Sequence, residues 1–310
     1  MKLDIATTAL LAQFASADGP PMYEMSAEEA RLVGEGMAGA YPDGPEMAET
    51  RDIEIPASDG GKIRARIHRP VDAPKGVLIY YHGGGWVLSN IDQYDCVGRQ
   101  LAERTACTVL LVDYRKAPEF KYPTAPNDAW DALNWAADNR DQLGGKDLPI
   151  MVGGDSAGGN LTIVTTNALV NDPADVPVLV QAPIYPVASD ISKHESLRQF
   201  SEGYLLTGPT MAWFTKQYGG DPSDPRTTPI FGDCANTPPS VICTAGLDPL
   251  RDSGREYAAH LIQQGTEVAY FEFSGIIHGF TTLRKAIPSG QKDVDAFLGA
   301  IRIKLDRIAA

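Results

Sequence analysis

A serine within a short glycine-rich turn is the first part of the sequence that could carry chemistry. The turn Gly154-Asp155-Ser156-Ala157-Gly158 fits the pattern G-x-S-x-G and directly follows the apolar run at 150–153. A tight turn from a strand into a helix needs small neighbours, and it presents the serine hydroxyl to a substrate. The alternative is an ordinary turn in which Ser156 only caps a helix. The pattern and its position together predict a nucleophile at Ser156.

A nucleophilic serine needs a general base, and His278 is the best candidate among the five histidines. It lies on a glycine-flanked loop, Ile276-Ile277-His278-Gly279-Phe280, after the last apolar run of the chain. Near neutral pH an imidazole can accept the serine proton and deliver it to a leaving group. The other histidines are expected at the end of a strand (His68), in a glycine loop (His82), in an insertion (His194) and in a helix (His260).

The third member of such a triad is a carboxylate that orients the histidine. Asp248 is the predicted residue, because it comes just after the apolar run at 240–245. Asp252, further along, is instead interpreted as the cap of the next helix. The chain order Ser156, Asp248, His278 is that of α/β hydrolases and differs from the orders in chymotrypsin and subtilisin.

Attack on a carbonyl also needs donors for the oxyanion, and the segment His82-Gly83-Gly84-Gly85-Trp86 is placed to supply them. It follows the apolar run at 76–81, and its glycines expose backbone N–H groups. We expect three N–H groups to bind the oxyanion, those of Gly83, Gly84 and Ala157. The His82 side chain is expected to hold the loop in shape. The alternative for the whole segment is a flexible turn without a catalytic role.

The periodicity of the apolar residues predicts an α/β fold around these motifs. Residues 51–55 and 62–68 alternate polar with apolar types, which indicates an antiparallel hairpin turning at Asp59-Gly60-Gly61. Uniformly apolar strands, buried on both faces, are predicted at 76–81, 108–112, 150–153, 178–182, 240–245 and 267–273. Helices are predicted between or after them at 94–104, 125–139, 158–171, 252–264 and 292–308. This alternation predicts a mostly parallel sheet with helices on both sides.

Two helices are expected before residue 45. The first has apolar or small side chains at helical spacing, at Leu3, Thr7, Leu10 and Phe14. The second is expected at 26–38, and Ser26 with Glu29 forms a capping-box pattern at its start. A secretion signal is the weaker alternative for the first helix, so we expect a cytoplasmic protein.

Composition and charge restrict the kind of partner. The 27 basic and 40 acidic side chains give a net charge of −13, which argues against nucleic acid or an anionic membrane. No apolar run approaches the roughly 20 residues of a membrane-spanning helix. A small molecule is therefore the expected partner. The four cysteines form no C-x-x-C pair, so we expect reduced core thiols and no metal site at Cys96, Cys107, Cys234 and Cys243.

Five segments, in this order along the chain, resemble the signatures of the hormone-sensitive-lipase-like esterases, also called bacterial family IV carboxylesterases. His82-Gly83-Gly84-Gly85 is similar to the HGGG signature, and Gly154-Asp155-Ser156-Ala157-Gly158 matches the GDSAG subgroup. Residues 114–119 resemble the YRLAPE segment, with Lys116 in place of the usual leucine. The acid and base segments complete the set at 248–252 and 278–280.

The resemblance implies an α/β-hydrolase fold with an eight-stranded, mostly parallel sheet. It also implies hydrolysis of short- to medium-chain acyl esters without a metal or organic cofactor, and frequent homodimers. Residues 187–228 contain no predicted strand, which is typical of a lid. In the family such an insertion forms a helical cap together with the N-terminal segment. The implied division is therefore a cap from 1–45 and 187–228, and a catalytic domain from 46–186 and 229–310.

Apolar residues near these motifs are candidates for the substrate pocket, although core or cap packing is the alternative for each of them. They are Trp86, Leu205, Leu206, Phe214 and Ile277. The expected function is a serine carboxylesterase acting through an acyl-enzyme intermediate. The triad does not separate this function from an amidase or a lactonase. A non-catalytic small-molecule receptor is a further alternative, since plant gibberellin receptors resemble this family, but they lack the catalytic histidine and His278 is present here.

Overall fold

An eight-stranded sheet lies at the centre of the protein. The computed structural model of the chain describes residues 3–16, 19–36, 42–169, 171–172, 174 and 176–308. The strands are β1 (Glu49–Pro56), β2 (Lys62–Arg69), β3 (Val77–Tyr81), β4 (Thr108–Asp113), β5 (Ile150–Asp155), β6 (Val178–Ile184), β7 (Ser240–Leu247) and β8 (Val268–Ile277). Their order across the sheet is β1-β2-β4-β3-β5-β6-β7-β8. β2 is antiparallel to β1 and β4, and all other neighbours are parallel, so the predicted sheet is confirmed.

The predicted hairpin is formed by β1 and β2. In β2, Ile63 and Ile67 are buried, whereas Arg64 between them is exposed. The strand therefore has one face toward the core and one toward water, as its alternating residue types predict. The turn between the strands contains Gly60 with a φ of 86°, a left-handed conformation that favours glycine.

The inner strands are apolar because helices cover both of their faces. In β3, Val77, Ile79 and Tyr81 pack into one core, whereas Leu78 and Tyr80 pack into the core on the opposite face. All five side chains are buried. A strand in this position has no wet face, which explains why its sequence does not alternate.

The helices that cover the sheet follow the predicted alternation. The helices of the chain are α1 (Ile5–Ala15), α2 (Ala27–Gly36), α3 (Asp95–Thr105), α4 (Thr124–Asp138), α5 (Ala157–Ala168), α6 (Glu195–Phe200), α7 (Gly208–Tyr218), α8 (Arg251–Gln263) and α9 (Gly290–Ile308). α3 and α9 pack together on one face of the sheet, and α4, α5 and α8 lie on the other. Within the described residues, no helix is long and apolar enough to cross a membrane.

The first N-terminal helix forms as predicted, but its apolar residues are not confined to one face, since Ile5 is exposed. The Asp4 side chain caps it by accepting a hydrogen bond from the Thr7 N–H at 2.7 Å. Thr7 and Leu10 are buried on its inner face. Leu10 belongs to the same core as α3 and α9, so this helix extends the apolar layer on that side of the sheet.

The second N-terminal helix begins with the predicted capping box. The Glu29 N–H donates to Ser26 Oγ at 3.2 Å, and the Ser26 N–H donates to Glu29 Oε2 at 2.8 Å. Two amide donors at the helix start are thereby satisfied. α2 is described as far as Gly36, and the predicted end at Ala38 lies outside the described residues.

Residues 187–228 connect β6 to β7 and contain α6 and α7 but no strand, in agreement with the sequence. Thr207 caps α7 by accepting a hydrogen bond from the Thr210 N–H at 3.3 Å. The helix ends at Gly219, which has a φ of 75°. We refer to residues 187–228 as the insertion.

All four cysteines are free and buried. Burial raises the pKa of the Cys107 thiol to about 12, so this group remains protonated at neutral pH. The predicted placement of the four thiols in the core is confirmed.

Candidate active site

Glycines hold the serine turn tightly against the sheet. Ser156 directly follows β5, and α5 begins at the next residue. Its φ of 56° and ψ of −116° are strained for a residue with a side chain. A Cβ atom at Gly158 would overlap the carbonyl oxygen of Tyr81, and one at Gly154 would overlap the carbonyl oxygen of Gly158. Both positions therefore require glycine, and the turn brings Ser156 close to the end of β3.

The three predicted triad residues meet in one hydrogen-bonded line. Ser156 Oγ lies 3.0 Å from Nε2 of His278, and Nδ1 of His278 lies 2.7 Å from Oδ2 of Asp248. The Ser156 hydroxyl makes no capping bond to α5, so the capping alternative is wrong. The strand register explains the meeting of acid and base. Leu247 of β7 pairs with Ile277 of β8, and Asp248 and His278 are the residues that follow them.

The two candidate acids near β7 have different surroundings. Asp248 is fully buried and also accepts a hydrogen bond from the Leu250 N–H at 2.8 Å. Asp252 lies inside the first turn of α8, so its interpretation as the helix cap is wrong. Its carboxylate accepts hydrogen bonds from Arg251 and from the Ser196 N–H of the insertion, both at 2.8 Å. Burial would raise the pKa of Asp252, but these two bonds lower it overall.

Backbone N–H donors line the cavity beside the Ser156 hydroxyl. We refer to residues 82–88 as the oxyanion loop. Gly84 and Gly85 line the cavity beside Ser156, and neither N–H donates to an acceptor in the described part of the chain. Ala157 is the first residue of α5, so its N–H has no acceptor within the helix. These three N–H groups can bind an oxyanion.

Gly83 differs from the prediction. Its N–H donates to Oδ1 of Asp155 at 3.0 Å and lies 3.1 Å from the hydroxyl oxygen of Tyr94. The N–H is therefore engaged inside the protein, and Gly83 does not line the cavity. The expected set of oxyanion donors is therefore wrong at one position. Gly85 takes the place of Gly83.

The Asp155 carboxylate holds the start of the oxyanion loop in place. Besides the Gly83 N–H, it accepts hydrogen bonds from the hydroxyls of Tyr80 at 3.0 Å, Tyr94 at 2.8 Å and Tyr185 at 3.2 Å. Burial raises the pKa of Asp155, while the hydrogen bonds from Tyr94 and Tyr80 oppose the rise. This role of Asp155 was not predicted from the sequence. The sequence did contain one indication of a buried polar partner. Tyr80 lies in a fully apolar run, and a buried tyrosine hydroxyl needs a polar group to bond with.

The His82 side chain supports the same loop, as expected. It is buried, its ring stacks on Tyr114 at 4.4 Å, and its Nδ1 lies 2.7 Å from the Gly83 carbonyl oxygen. Its Nε2 lies 3.5 Å from Oδ1 of Asp113, which also binds Lys116 Nζ at 2.5 Å. Burial would raise the pKa of Asp113, but His82 and the charge of Lys116 lower it to about 2.

A cavity of about 270 Å³ opens beside Ser156. Four of the five predicted pocket residues line it, namely Trp86, Leu205, Leu206 and Phe214. The prediction for Ile277 is wrong. This residue is still part of β8, and it is fully buried in the core of the sheet. Other apolar residues that line the cavity were not predicted from the sequence, namely Met22, Leu88, Val187, Ile191, Met211, Leu250 and Leu283.

The charged side chains that line the cavity already have partners within the protein. Arg31 of α2 lines the cavity, but its guanidinium donates to Glu119 at 2.7 and 2.9 Å. It also donates to the carbonyl oxygens of Val87 and Ala117, each at 2.8 Å. The Asp155 carboxylate is engaged by the bonds described above. In the part of the chain that the structure describes, no three His, Cys, Asp or Glu side chains converge as metal ligands.

The strand order and the placement of a serine, an aspartate and a histidine after β5, β7 and β8 define an α/β hydrolase. A family model described as alpha/beta hydrolase fold matches residues 78–282. The chain belongs to this family.

Named relatives narrow the class further. The chain is 32% identical to an ethyl acetate hydrolase of Pseudomonas putida, over 91% of this chain and 92% of that protein. It is 34% identical to an arylesterase of Saccharolobus solfataricus, over 87% of each chain. The structure resembles a hyperthermophilic esterase from Pyrobaculum calidifontis, with a TM-score of 0.88, 37% identity, and coverage of 97% of this chain and 98% of that one. The predicted hormone-sensitive-lipase-like family and the class of carboxylic ester hydrolase are confirmed.

Proposed function

We propose that the protein hydrolyses neutral, short- to medium-chain acyl esters through an acyl-enzyme intermediate on Ser156. The hydrogen-bonded line from Asp248 through His278 to Ser156 is the observation that carries the proposal. The line ends beside a cavity with three free N–H donors, so nucleophile, base and oxyanion donors share one site.

In the acylation step, Ser156 Oγ attacks the ester carbonyl carbon while His278 Nε2 takes the serine proton. The N–H groups of Gly84, Gly85 and Ala157 stabilise the oxyanion of the tetrahedral intermediate. The intermediate collapses when the bond to the alcohol oxygen breaks. His278 then gives its proton to the leaving alcohol, and the acyl group remains on Ser156.

Deacylation repeats these steps with water. His278 takes a proton from the water as its oxygen attacks the acyl carbon, and the same donors hold the new oxyanion. Collapse releases the carboxylic acid and returns the proton to Ser156 Oγ. Throughout both steps, Asp248 keeps Nδ1 of His278 protonated and stabilises the imidazolium when it forms.

The cavity supports a neutral substrate with an apolar acyl group. Its walls are mostly aliphatic and aromatic, and the guanidinium of Arg31 is already paired with Glu119. A carboxylate or ammonium group on the substrate would lose its hydration without gaining a partner. An acyl chain instead gains roughly 0.8 kcal/mol for each methylene that it buries. We therefore expect the rate to rise with acyl length until the chain fills the cavity.

The test is hydrolysis of nitrophenyl esters of increasing acyl length by the wild type and Ser156→Ala. We expect the substitution to lower kcat by about 10⁴-fold or more. Ser223→Ala is the matched control, because Ser223 is exposed and bonds only to Asp221. Ordinary esterase activity in Ser156→Ala would contradict the proposal. Activity of the wild type on aryl amides but on no ester would replace the esterase with an amidase.

A further inference from the structure

We propose that helix α7 positions the oxyanion loop, with Phe214 packing on Gly85 and keeping its N–H at the place where the oxyanion forms. Phe214 is then a positioning residue for catalysis as well as part of the pocket wall. The inference rests on the function proposed above, since it concerns the same oxyanion donors.

The ring of Phe214 lies directly on Gly85. A Cβ atom at Gly85 would overlap three carbon atoms of this ring, so the contact exists only because the residue is glycine. Gly85 has a φ of 61° and lines the cavity beside Ser156. Glycine can adopt many backbone conformations, and a ring packed on its Cα atom limits how far this part of the loop can move.

A second aromatic contact from α7 holds the next residue of the loop. Tyr218 stacks on Trp86 with the ring centroids 4.3 Å apart and the planes 7° from parallel. Residues 214 and 218 are four apart on one helix, so they lie on the same face. Tyr218 is anchored in turn, since its carbonyl oxygen accepts a hydrogen bond from the Tyr122 N–H at 2.9 Å. One face of α7 therefore covers both Gly85 and Trp86.

Other restraints on the loop are hydrogen bonds. Gly83 is bound by Asp155, and the Val87 carbonyl oxygen is bound by Arg31. The carbonyl oxygen of Trp86 accepts a hydrogen bond from the Ala117 N–H at 2.9 Å. The N–H of Gly85 donates to no acceptor in the described part of the chain, but the Gly84 carbonyl oxygen of the same peptide accepts hydrogen bonds from the Val87 and Leu88 N–H groups at 3.1 and 2.8 Å. These two bonds lie within the loop and do not fix its distance from Ser156, so the placement of Gly85 also depends on the ring of Phe214 that packs on it.

A pocket wall and a positioning residue predict different kinetics. If Phe214 only contacts the acyl chain, its truncation raises KM and affects long esters more than acetate. If Phe214 positions Gly85, its truncation lowers kcat by about 10–100-fold for acetate and hexanoate esters alike, since loss of one oxyanion donor costs about 10²–10³-fold. Inhibition by a methyl trifluoromethyl ketone should weaken by the same factor as kcat, because its adduct carries the oxyanion.

The variants are Phe214→Ala and the milder Phe214→Leu, both checked for cooperative thermal unfolding. Met211→Ala is the comparison for a pocket wall, because Met211 lines the cavity from the same helix. Lys216→Ala, an exposed change on α7, should leave kcat unaltered. A rise in KM alone for Phe214→Ala, matching Met211→Ala, would overturn the inference.

A readout that needs no esterase activity separates this inference from the proposed function. Amide hydrogen exchange of the peptide spanning 82–88 should become at least tenfold faster in Phe214→Ala, while the peptide spanning 150–155 of β5 should not change. Unchanged exchange at 82–88 would overturn the positioning role even in an active enzyme. Faster exchange in a protein without esterase activity would support the positioning role and contradict only the proposed function.

Discussion

The two sides of Ser156 are built in different ways. On one side, Asp248 and His278 directly follow two paired strands, and the pair Leu247 and Ile277 sets their positions. On the other side, the oxyanion loop leaves the sheet after β3 and pairs with no strand. Side chains from distant segments, including Asp155 and Arg31, hold it there.

This difference shows which parts of the site the backbone alone can place. Parallel pairing aligns the ends of neighbouring strands, so residues that follow them meet without further help. The loop has no such alignment, and contacts with distant residues hold it, among them those of Asp155 with Gly83, Arg31 with Val87 and Phe214 with Gly85. Substitutions of Asp248 or His278 should therefore remove a chemical function. Substitutions around the loop should instead displace the N–H donors.

The largest expected effect concerns the side of Ser156 that contains Asp248 and His278. Asp248→Asn should lower kcat by about 10³–10⁴-fold with little change in KM, because the amide does not stabilise the required tautomer of His278. Nitrophenyl acetate kinetics measure the effect. Asp252→Asn is the matched control, and we expect less than a tenfold change, since Asp252 binds Arg251 and the Ser196 N–H. A more severe loss in the control would assign the acid to Asp252.

A smaller loss of kcat is expected on the loop side. Asp155→Asn removes the charge that binds the Gly83 N–H, and kcat should fall by about 10²-fold because the loop shifts. Tyr94→Phe and Tyr80→Phe refine this test. Both hydroxyls donate to Asp155, but only the Tyr94 hydroxyl also contacts the Gly83 N–H. Tyr94→Phe should therefore reduce kcat more, and equal effects would show that the loop does not depend on this contact.

A buried histidine outside both sides should affect stability alone. Burial lowers the pKa of His68 from 6.5 to about 4, so between these pH values the unfolded chain binds more protons than the folded one. Stability is therefore lost as the pH falls from 6.5 to 4. The contribution is on the order of 3 to 4 kcal/mol at about 1.4 kcal/mol per pKa unit. Urea titrations at pH 7 and pH 4 measure how much free energy of unfolding is lost between these two pH values. This loss should be correspondingly smaller in His68→Gln than in the wild type. An equal loss in both proteins would contradict the lowered pKa of His68.

The smallest expected effect concerns Lys116, which replaces the usual leucine of the family segment. Lys116→Leu removes one partner of Asp113 beneath the oxyanion loop. We expect a loss of about 1 kcal/mol in the free energy of unfolding and less than a threefold change in kcat, because His82 remains beside Asp113. Lys121→Leu, at an exposed position, serves as the control. A drop in kcat above tenfold would mean that the loop depends on the lysine.

The triad could be predicted from the sequence because each member follows an apolar run. Strand ends are visible as a change from apolar to polar residues, and the sheet then aligns them. The start of α2 was predictable for a similar reason, since Ser26 and Glu29 interact within one helical turn. Local patterns therefore sufficed wherever contacts are local or follow from strand pairing.

The remaining features depend on contacts that no local pattern shows. Three successive glycines look alike in sequence, and the distant carboxylate of Asp155 decides that Gly83 is engaged while Gly84 and Gly85 remain free. Ile277 was misplaced because β8 extends beyond its predicted end at residue 273, which leaves Ile277 inside the sheet. The contact of Phe214 with Gly85 joins residues more than 100 positions apart, and only the folded chain reveals it.

The most direct test of the central claim is to locate the covalent intermediate. The wild type is treated with a nitrophenyl phosphonate ester, which forms a stable adduct with a catalytic serine, and the modified peptide is identified by mass spectrometry. We predict one adduct per chain, on Ser156, appearing in step with the loss of esterase activity and absent from Ser156→Ala. An adduct on another residue, or full activity after complete modification of Ser156, would contradict the proposed mechanism.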